Sequence, residues 1–239
     1  MPTECEHGAE SHDGTLTSAA TAPEASRAWL LIEHPGPWPA EAADAELPAA
    51  LRPVVAGAVE RGVRLQLIRR AGRREPRAGQ REPRVTSHPT AVFAGWTAGS
   101  DPWLRRGTLG DVSDLDLDAL SSGQPIGFGV PVTEPMYLVC GHARRNACCA
   151  RFGLPLAQFL AAEYPSRVWE STHVGGHRYA ANLVLLPHGL YYGPADRAIS
   201  AAAISAYEHR AIVPDRYRGR AGQPHDEQLA EYARLVESR

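Results

Sequence analysis

The chain has 239 residues, 44% of them hydrophobic, with 25 basic and 27 acidic side chains and a formal net charge of −2. That length and apolar content suffice for one large or two small domains with real cores, and the near-neutral balance gives no global attraction to nucleic acid or membrane. All the basic side chains are Arg, which removes lysine-dependent Schiff-base and P-loop chemistry. No run approaches the roughly 20 apolar residues of a membrane span, and the acidic start lacks a signal peptide's basic and apolar regions, so a cytoplasmic protein is expected.

Residues 1–26 carry five acids and no Arg among many Ser, Thr, Ala and Gly, a composition expected to stay a mobile tail; Cys5, His7 and His12 lie within it. Residues 27–123 form a first half. It opens with an apolar strand, Ala28 to Glu33, stopped by P-G-P-W-P. Leu47, Leu51, Val54, Val55 and Ala58 fall at helical spacing before Gly62, and Val63 to Ile68 alternates as a strand does. Arg69 to Arg84 holds seven Arg and reads as an exposed, poorly ordered loop, suited as a docking patch for an acidic redox partner. It has no aromatic residue to stack on bases, so nucleic acid is not expected as a partner. Strands over Thr90 to Trp96 and Trp103 to Leu109 follow. Asp111 to Leu120, ending at Gly123, predicts a capped surface helix, since the glycine and terminal Glu of a calcium loop are missing.

After a turn-rich bridge from Gly123 to Pro131, residues 131–213 repeat that order. Met136 to Val139 is a strand, followed by a cysteine-bearing loop and a helix that buries Phe152, Leu156, Phe159 and Leu160, with Pro155 near its first turn. Arg167 to Glu170 is a strand, a histidine loop follows, Asn182 to Pro187 and Leu190 to Gly193 form a hairpin, and Ala195 to His209 is a helix. The fold class is α/β, with two thioredoxin-like β-α-β-β-β-α halves. Residues 214–239 predict a helical extension docking through Leu229, Tyr232, Ala233 and Val236.

The chemistry concentrates in the second half. Three of the four cysteines lie in C-G-H-A-R-R-N-A-C-C, Cys140 to Cys149, and H-V-G-G-H runs from His173 to His177. Thiolate and imidazole donors in two close sets suit zinc or an iron-sulfur cluster and exclude the hard cations magnesium and calcium. The Rieske pattern, which interleaves Cys and His within each loop, is not present. A thiol oxidoreductase is disfavoured, because there is no C-x-x-C and adjacent Cys148 and Cys149 make a poor disulfide. Gly175 and Gly176 allow the tight turn that aims both rings one way. His142 is expected to face solvent, as are Arg144, Arg145 and Arg178, which have a second use in hydrogen bonding around the site or guiding a partner.

These two segments, with W-E-S-T-H-V-G-G-H-R-Y-A-A-N from Trp169 and L-V-L-L-P-H-G-L-Y-Y-G from Leu183, resemble the sucrase/ferredoxin-like family. That family is related to thioredoxin-like ferredoxins with mixed Cys and His ligation. W-L-L-I-E-H-P-G-P-W near the start matches more weakly. The resemblance implies a thioredoxin-like fold holding a [2Fe-2S] cluster through Cys140, Cys149, His173 and His177. Family spacing, and its place nearest the start of the following helix, favour Cys149 over Cys148, which is left as a small buried residue. Asn146 departs from the Asp usual in the family. Two thiolates and two neutral imidazoles leave an oxidised core uncharged, so the resemblance implies a potential above the roughly −400 mV of plant-type clusters and proton uptake on reduction. The function implied is a non-enzymatic electron carrier or redox sensor served by a redox partner protein; structural zinc binding is the alternative. Glycoside hydrolysis, which the family name suggests, needs two positioned carboxylates, and neither Glu163 nor Glu170 stands out from surface residues.

Overall fold

The structure is a computed structural model that describes residues 18–72 and 90–238. Its frame is a ten-stranded sheet. The first five strands are β1 (Ala28–Glu33), β2 (Arg64–Arg70), β3 (Ala91–Trp96), β4 (Trp103–Thr108) and β5 (Val130–Pro131). The others are β6 (Met136–Cys140), β7 (Val168–Ser171), β8 (Leu183–Leu186), β9 (Leu190–Tyr192) and β10 (Tyr217–Arg220). The spatial order is β10-β9-β8-β6-β7-β2-β1-β3-β4-β5.

The pairings repeat. β1 runs parallel to β2 and antiparallel to β3, which is antiparallel to β4. Likewise β6 runs parallel to β7 and antiparallel to β8, which is antiparallel to β9. The two sets join where β2 and β7 pair antiparallel, Ile68 opposite Ser171 and Arg69 opposite Glu170.

Helices α1 (Leu51–Glu60) and α2 (Leu117–Ser122) follow β1 and β4, while α3 (Ala147–Glu163) and α4 (Arg197–Glu208) follow β6 and β9. Alternation sends Leu30 and Ile32 into a core with Leu51, Val55, Ala58 and Leu120, while their neighbours Trp29 and Leu31 face the other way. In the second set Tyr137 and Val139 pack with Leu156, Leu160 and Ile204 of α3 and α4. The faces turned from these helices share one core, in which Trp29, Leu31 and Phe93 meet Leu138, Cys140, Trp169 and Tyr191. Central strands buried on both faces need nearly continuous apolar sequence, as A-W-L-L-I and M-Y-L-V-C supply. Each such side chain contributes about 1.5–3 kcal/mol by leaving water.

Several expectations change. Of the tail predicted over 1–26, residues 1–17, with Cys5, His7 and His12, lie outside the described residues. Residues 18–26 are packed: Ala20 and Ala22 are buried, and the amides of Thr21 and Ala22 donate to Arg218 O. The Arg-rich loop does not begin at Arg69, because β2 continues to Arg70 and Arg69 is buried against Glu170; residues 73–84 of that loop lie outside the described residues. Helix α3 starts at Ala147, where Asn146 Oδ1 accepts from Cys148 N at 2.9 Å, so Pro155 falls in the helix interior and not in the first turn. The C-terminal segment contributes β10 before its helix. That helix, α5 (His225–Glu237), docks through buried Gln228 with Tyr232 and Leu235, one position away from the predicted face, and leaves Leu229 and Val236 exposed.

Gly153 fixes how closely α3 crosses the end of β6. A Cβ there would lie 1.9 Å from Cys140 O. Gly153→Ala is therefore expected to lower the urea midpoint, with a loss of about 1–3 kcal/mol from overpacking, despite the roughly 1 kcal/mol by which Ala improves a helix interior. A midpoint raised by the substitution would contradict this packing.

Candidate metal centre

Cys140 ends β6, and its partner across the parallel pair is Ser171, the last residue of β7. The chain therefore leaves two neighbouring strands at the same edge, and the loops that follow lie side by side. Two residues past Ser171, His173 reaches the sulfurs: its Nδ1 is 4.0 Å from Cys140 Sγ and 3.6 Å from Cys149 Sγ. Donor atoms of Cys140, Cys149 and His173 all lie within 4.8 Å of one another. Cys149 arrives from the first turn of α3 and is buried, as is Cys140, while His173 is half-buried. His177 stands at the start of a short 3-10 turn, half-buried, with its ring centroid 6.2 Å from that of His173. Three of the four expected donors thus form one compact group, and the fourth flanks it.

The two thiols hydrogen-bond to each other. The Cys149 thiol, opposed by burial and assisted by the His173 ring, holds the Cys140 thiol well below its ordinary range; the hydrogen bond to Cys140 and burial push the Cys149 thiol up. The two shifts have opposite signs because one sulfur donates the hydrogen bond that the other accepts. Cys148, buried in the same turn, is disulfide-bonded, not the plain buried residue expected, and lies outside the donor group.

The histidine loop is held by its backbone. His173 O accepts from Arg64 Nη2 at 3.4 Å and Gln66 Nε2 at 3.3 Å, and Val174 O from Tyr191 OH at 3.1 Å. Gly175 O accepts from Arg218 Nη1 at 3.4 Å, and Gly176 O from Asn182 Nδ2 at 3.0 Å. Four consecutive carbonyls are thus tied down from behind. Gly175 and Gly176 have φ of +94° and +69°, the left-handed region that glycine enters without steric cost.

His142 is corrected by the structure: it is buried at 2% exposure. Its Nδ1 accepts from His173 N at 3.1 Å, so Nε2 carries the proton and donates to Pro39 O at 2.7 Å. It stands edge-on to Trp38, whose ring lies 3.7 Å from the Arg69 guanidinium carbon. Glu170, expected at the surface, is 1% exposed and paired with Arg69 at 2.8 Å; Glu163 is exposed at the end of α3. Arg144 and Arg178 are exposed as expected, and Arg145, also exposed, pairs with Glu41. Sequence reasoning passed over Arg64, Gln66, Asn182 and Arg218, which hold the loop; R-L-Q-L-I and Y-R-G-R place polar side chains in strands that are otherwise buried, and that was the available signal.

A thiolate-imidazole donor set at this spacing fits zinc or iron, both of which accept sulfur and ring nitrogen. The chain belongs to the sucrase/ferredoxin-like family, whose pattern matches residues 19–219. Among curated proteins it is similar to altered inheritance of mitochondria protein 32 of Meyerozyma guilliermondii, 33% identical over 102 residues, which is 37% of this chain and 35% of that protein. The protein of the same name from Eremothecium gossypii is 29% identical over 110 residues, 40% of this chain and 35% of the relative. The alignments thus span about a third of these relatives. No solved structure gives a significant match. No helix among the described residues is long and apolar enough to cross a membrane.

Burial lowers the His142 pKa below its ordinary 6.5. A depressed value means that the unfolded chain takes the proton first. The stability contributed by neutral His142 is therefore complete above pH ~6.5 and is lost as the pH falls through the lowered value. Unfolding midpoints of the metal-free protein should fall with acidification across that window, and His142→Asn should fall less steeply. Equal slopes for the two would contradict the buried, neutral assignment.

Proposed function

We propose that the protein is an electron carrier or redox sensor that holds a [2Fe-2S] cluster through Cys140, Cys149, His173 and His177. The observation that supports this most is the meeting of two buried sulfurs with His173 Nδ1, with His177 flanking it on the same tied-down turn. Such a cluster, when bound, supplies a one-electron couple, and imidazole in place of thiolate raises its potential. The residues around it have separable tasks. Cys140 and Cys149 supply negative charge from the buried side. Gln66, Tyr191 and Asn182 hold the backbone of the loop that carries the two imidazoles. His142 fixes the His173 peptide as a neutral acceptor.

The fold supports the same reading. Each strand set has the order β-α-β-β-β-α, and each places its second strand beside its first, its first beside its third and its third beside its fourth. That is the arrangement of a thioredoxin-like unit, and we read the chain as two such units joined through β2 and β7, the second carrying the donors. The partner is a redox protein, with Arg144 and Arg178 as exposed positive groups on the donor-bearing loops.

One observation favours structural zinc. Separations of 3.6 and 4.0 Å match the edges of a tetrahedron around one ion with bonds of about 2.0–2.3 Å. Metal analysis of anaerobically purified protein separates the two readings. Iron and sulfide in equal amounts, red-brown colour and a paramagnetic signal on reduction are expected, with no stoichiometric zinc. Cys140→Ser, Cys149→Ser and His173→Ala should each lose most of the bound iron, whereas Cys148→Ser should keep it. Stoichiometric zinc without iron would overturn the electron-transfer reading.

A further inference from the structure

The histidine turn rests on two arginines that have no acid to balance them among the described residues. Arg218, on β10, is 1% exposed. Its Nε donates to Thr21 Oγ1 at 2.9 Å, its Nη2 to Thr21 O at 2.6 Å, and its Nη1 to Gly175 O and to Asn182 Oδ1. The guanidinium carbon lies 4.6 Å from the Tyr179 ring centre and 5.4 Å from that of Tyr191. All of these partners are neutral. A Cβ on Gly176 would lie 2.3 Å from Arg218 Nη2, so the cation is pressed directly against the turn between His173 and His177. Arg64 approaches the same turn from β2. Its Nη1 donates to Ser26 Oγ at 2.6 Å and its Nη2 to His173 O at 3.4 Å, while its Nε is buried with no hydrogen-bond partner among the described residues.

A buried guanidinium facing only neutral groups is strongly unfavourable unless negative charge lies within electrostatic reach. Burial lowers the Arg218 pKa to about 10; Arg64 lowers it further, whereas Tyr191, Tyr179 and Cys140 raise it. Elsewhere in this fold a buried arginine is given a carboxylate, as Arg69 is by Glu170. Arg218 and Arg64 have none among the described residues, and both instead donate to backbone carbonyls of the segment that carries the two histidines.

We infer that Arg218, seconded by Arg64, is the built-in counter-charge of this centre: a positioning residue that holds the turn by its carbonyls and favours the more negative oxidation state. The inference rests on the redox reading of the site. With two thiolates and two neutral imidazoles, an oxidised [2Fe-2S] centre is neutral, and one added electron makes it an anion with no bond formed or broken. A fixed cation behind the turn stabilises that anion. Structural zinc in the same ligands stays neutral and has no such use for it.

The test compares wild type with Arg218→Met, Arg218→Lys and Asn182→Asp, reading iron content, the paramagnetic signal and the midpoint potential at one pH, with dithionite as reductant and ferricyanide as oxidant. Arg218→Met should keep bound iron and make reduction at least about tenfold less favourable, a drop of about 59 mV for one electron. Arg218→Lys, which keeps the charge, should recover most of that loss. Asn182→Asp leaves Arg218 in place but sets a carboxylate against it, and its potential should also drop; if Arg218→Met fails to fold, this variant decides. Potentials of Arg218→Met and Asn182→Asp indistinguishable from wild type, with iron retained, would overturn the counter-charge role and leave the cluster standing. Wild-type protein without reducible iron would remove the site reading itself.

Discussion

The site depends on one register: the parallel pairing of β6 with β7 that sets Cys140 opposite Ser171. Parallel neighbours end at the same edge of a sheet, so whatever follows them leaves from adjacent points, and such edges are where open α/β sheets gather functional loops. A shift of one residue would turn Cys140 to the other face of the sheet. The second element is the approach of α3. Gly153 lets that helix lie against the end of β6, and Asn146 starts it early enough for Cys149 to fall in its first turn. Sheet pairing places one sulfur and the imidazole, and helix packing delivers the other sulfur.

The donor-free strand set takes part in the site from behind. Gln66 and Arg64 of β2 grip His173 O, and Thr172 Oγ1 is held between Leu67 N and Gln66 Oε1. His142 reaches across to Pro39, in the rigid loop after β1, and to the backbone of His173 at once. The antiparallel join of β2 and β7 makes these contacts possible, because it lays the first set directly beside the strand that precedes the histidine loop. Buried polar groups that hydrogen-bond to the loop backbone from behind hold it in one conformation.

Much of this was legible in the sequence. Strands such as A-W-L-L-I-E and the hairpin around His188 announce themselves by apolar runs between breakers, and the donors by their residue types and spacing. What escaped was tertiary. Arg69 and Glu170 each look like surface charges, and only the pairing of β2 with β7 brings them together out of water. His142 could not be told from an exposed histidine without knowing that Pro39 lies above it. Y-R-G-R has no apolar alternation, and it becomes a buried strand because Arg218 finds neutral acceptors on Thr21, Gly175 and Asn182. The docking face of α5 was misread because a glutamine, Gln228, occupies its centre, bonding Ala22 N and O across 206 positions. Pro155 suggested a helix start, whereas the earlier cap at Asn146 decides where α3 begins.

The central claim is that sulfur and ring nitrogen from two loops bind one inorganic centre. X-ray absorption at the iron edge of anaerobically purified protein tests it most directly. The account predicts a shell of sulfur and a shell of imidazole nitrogen around iron, with a second iron nearby. An all-sulfur or all-oxygen shell, or no iron edge at all, would contradict it.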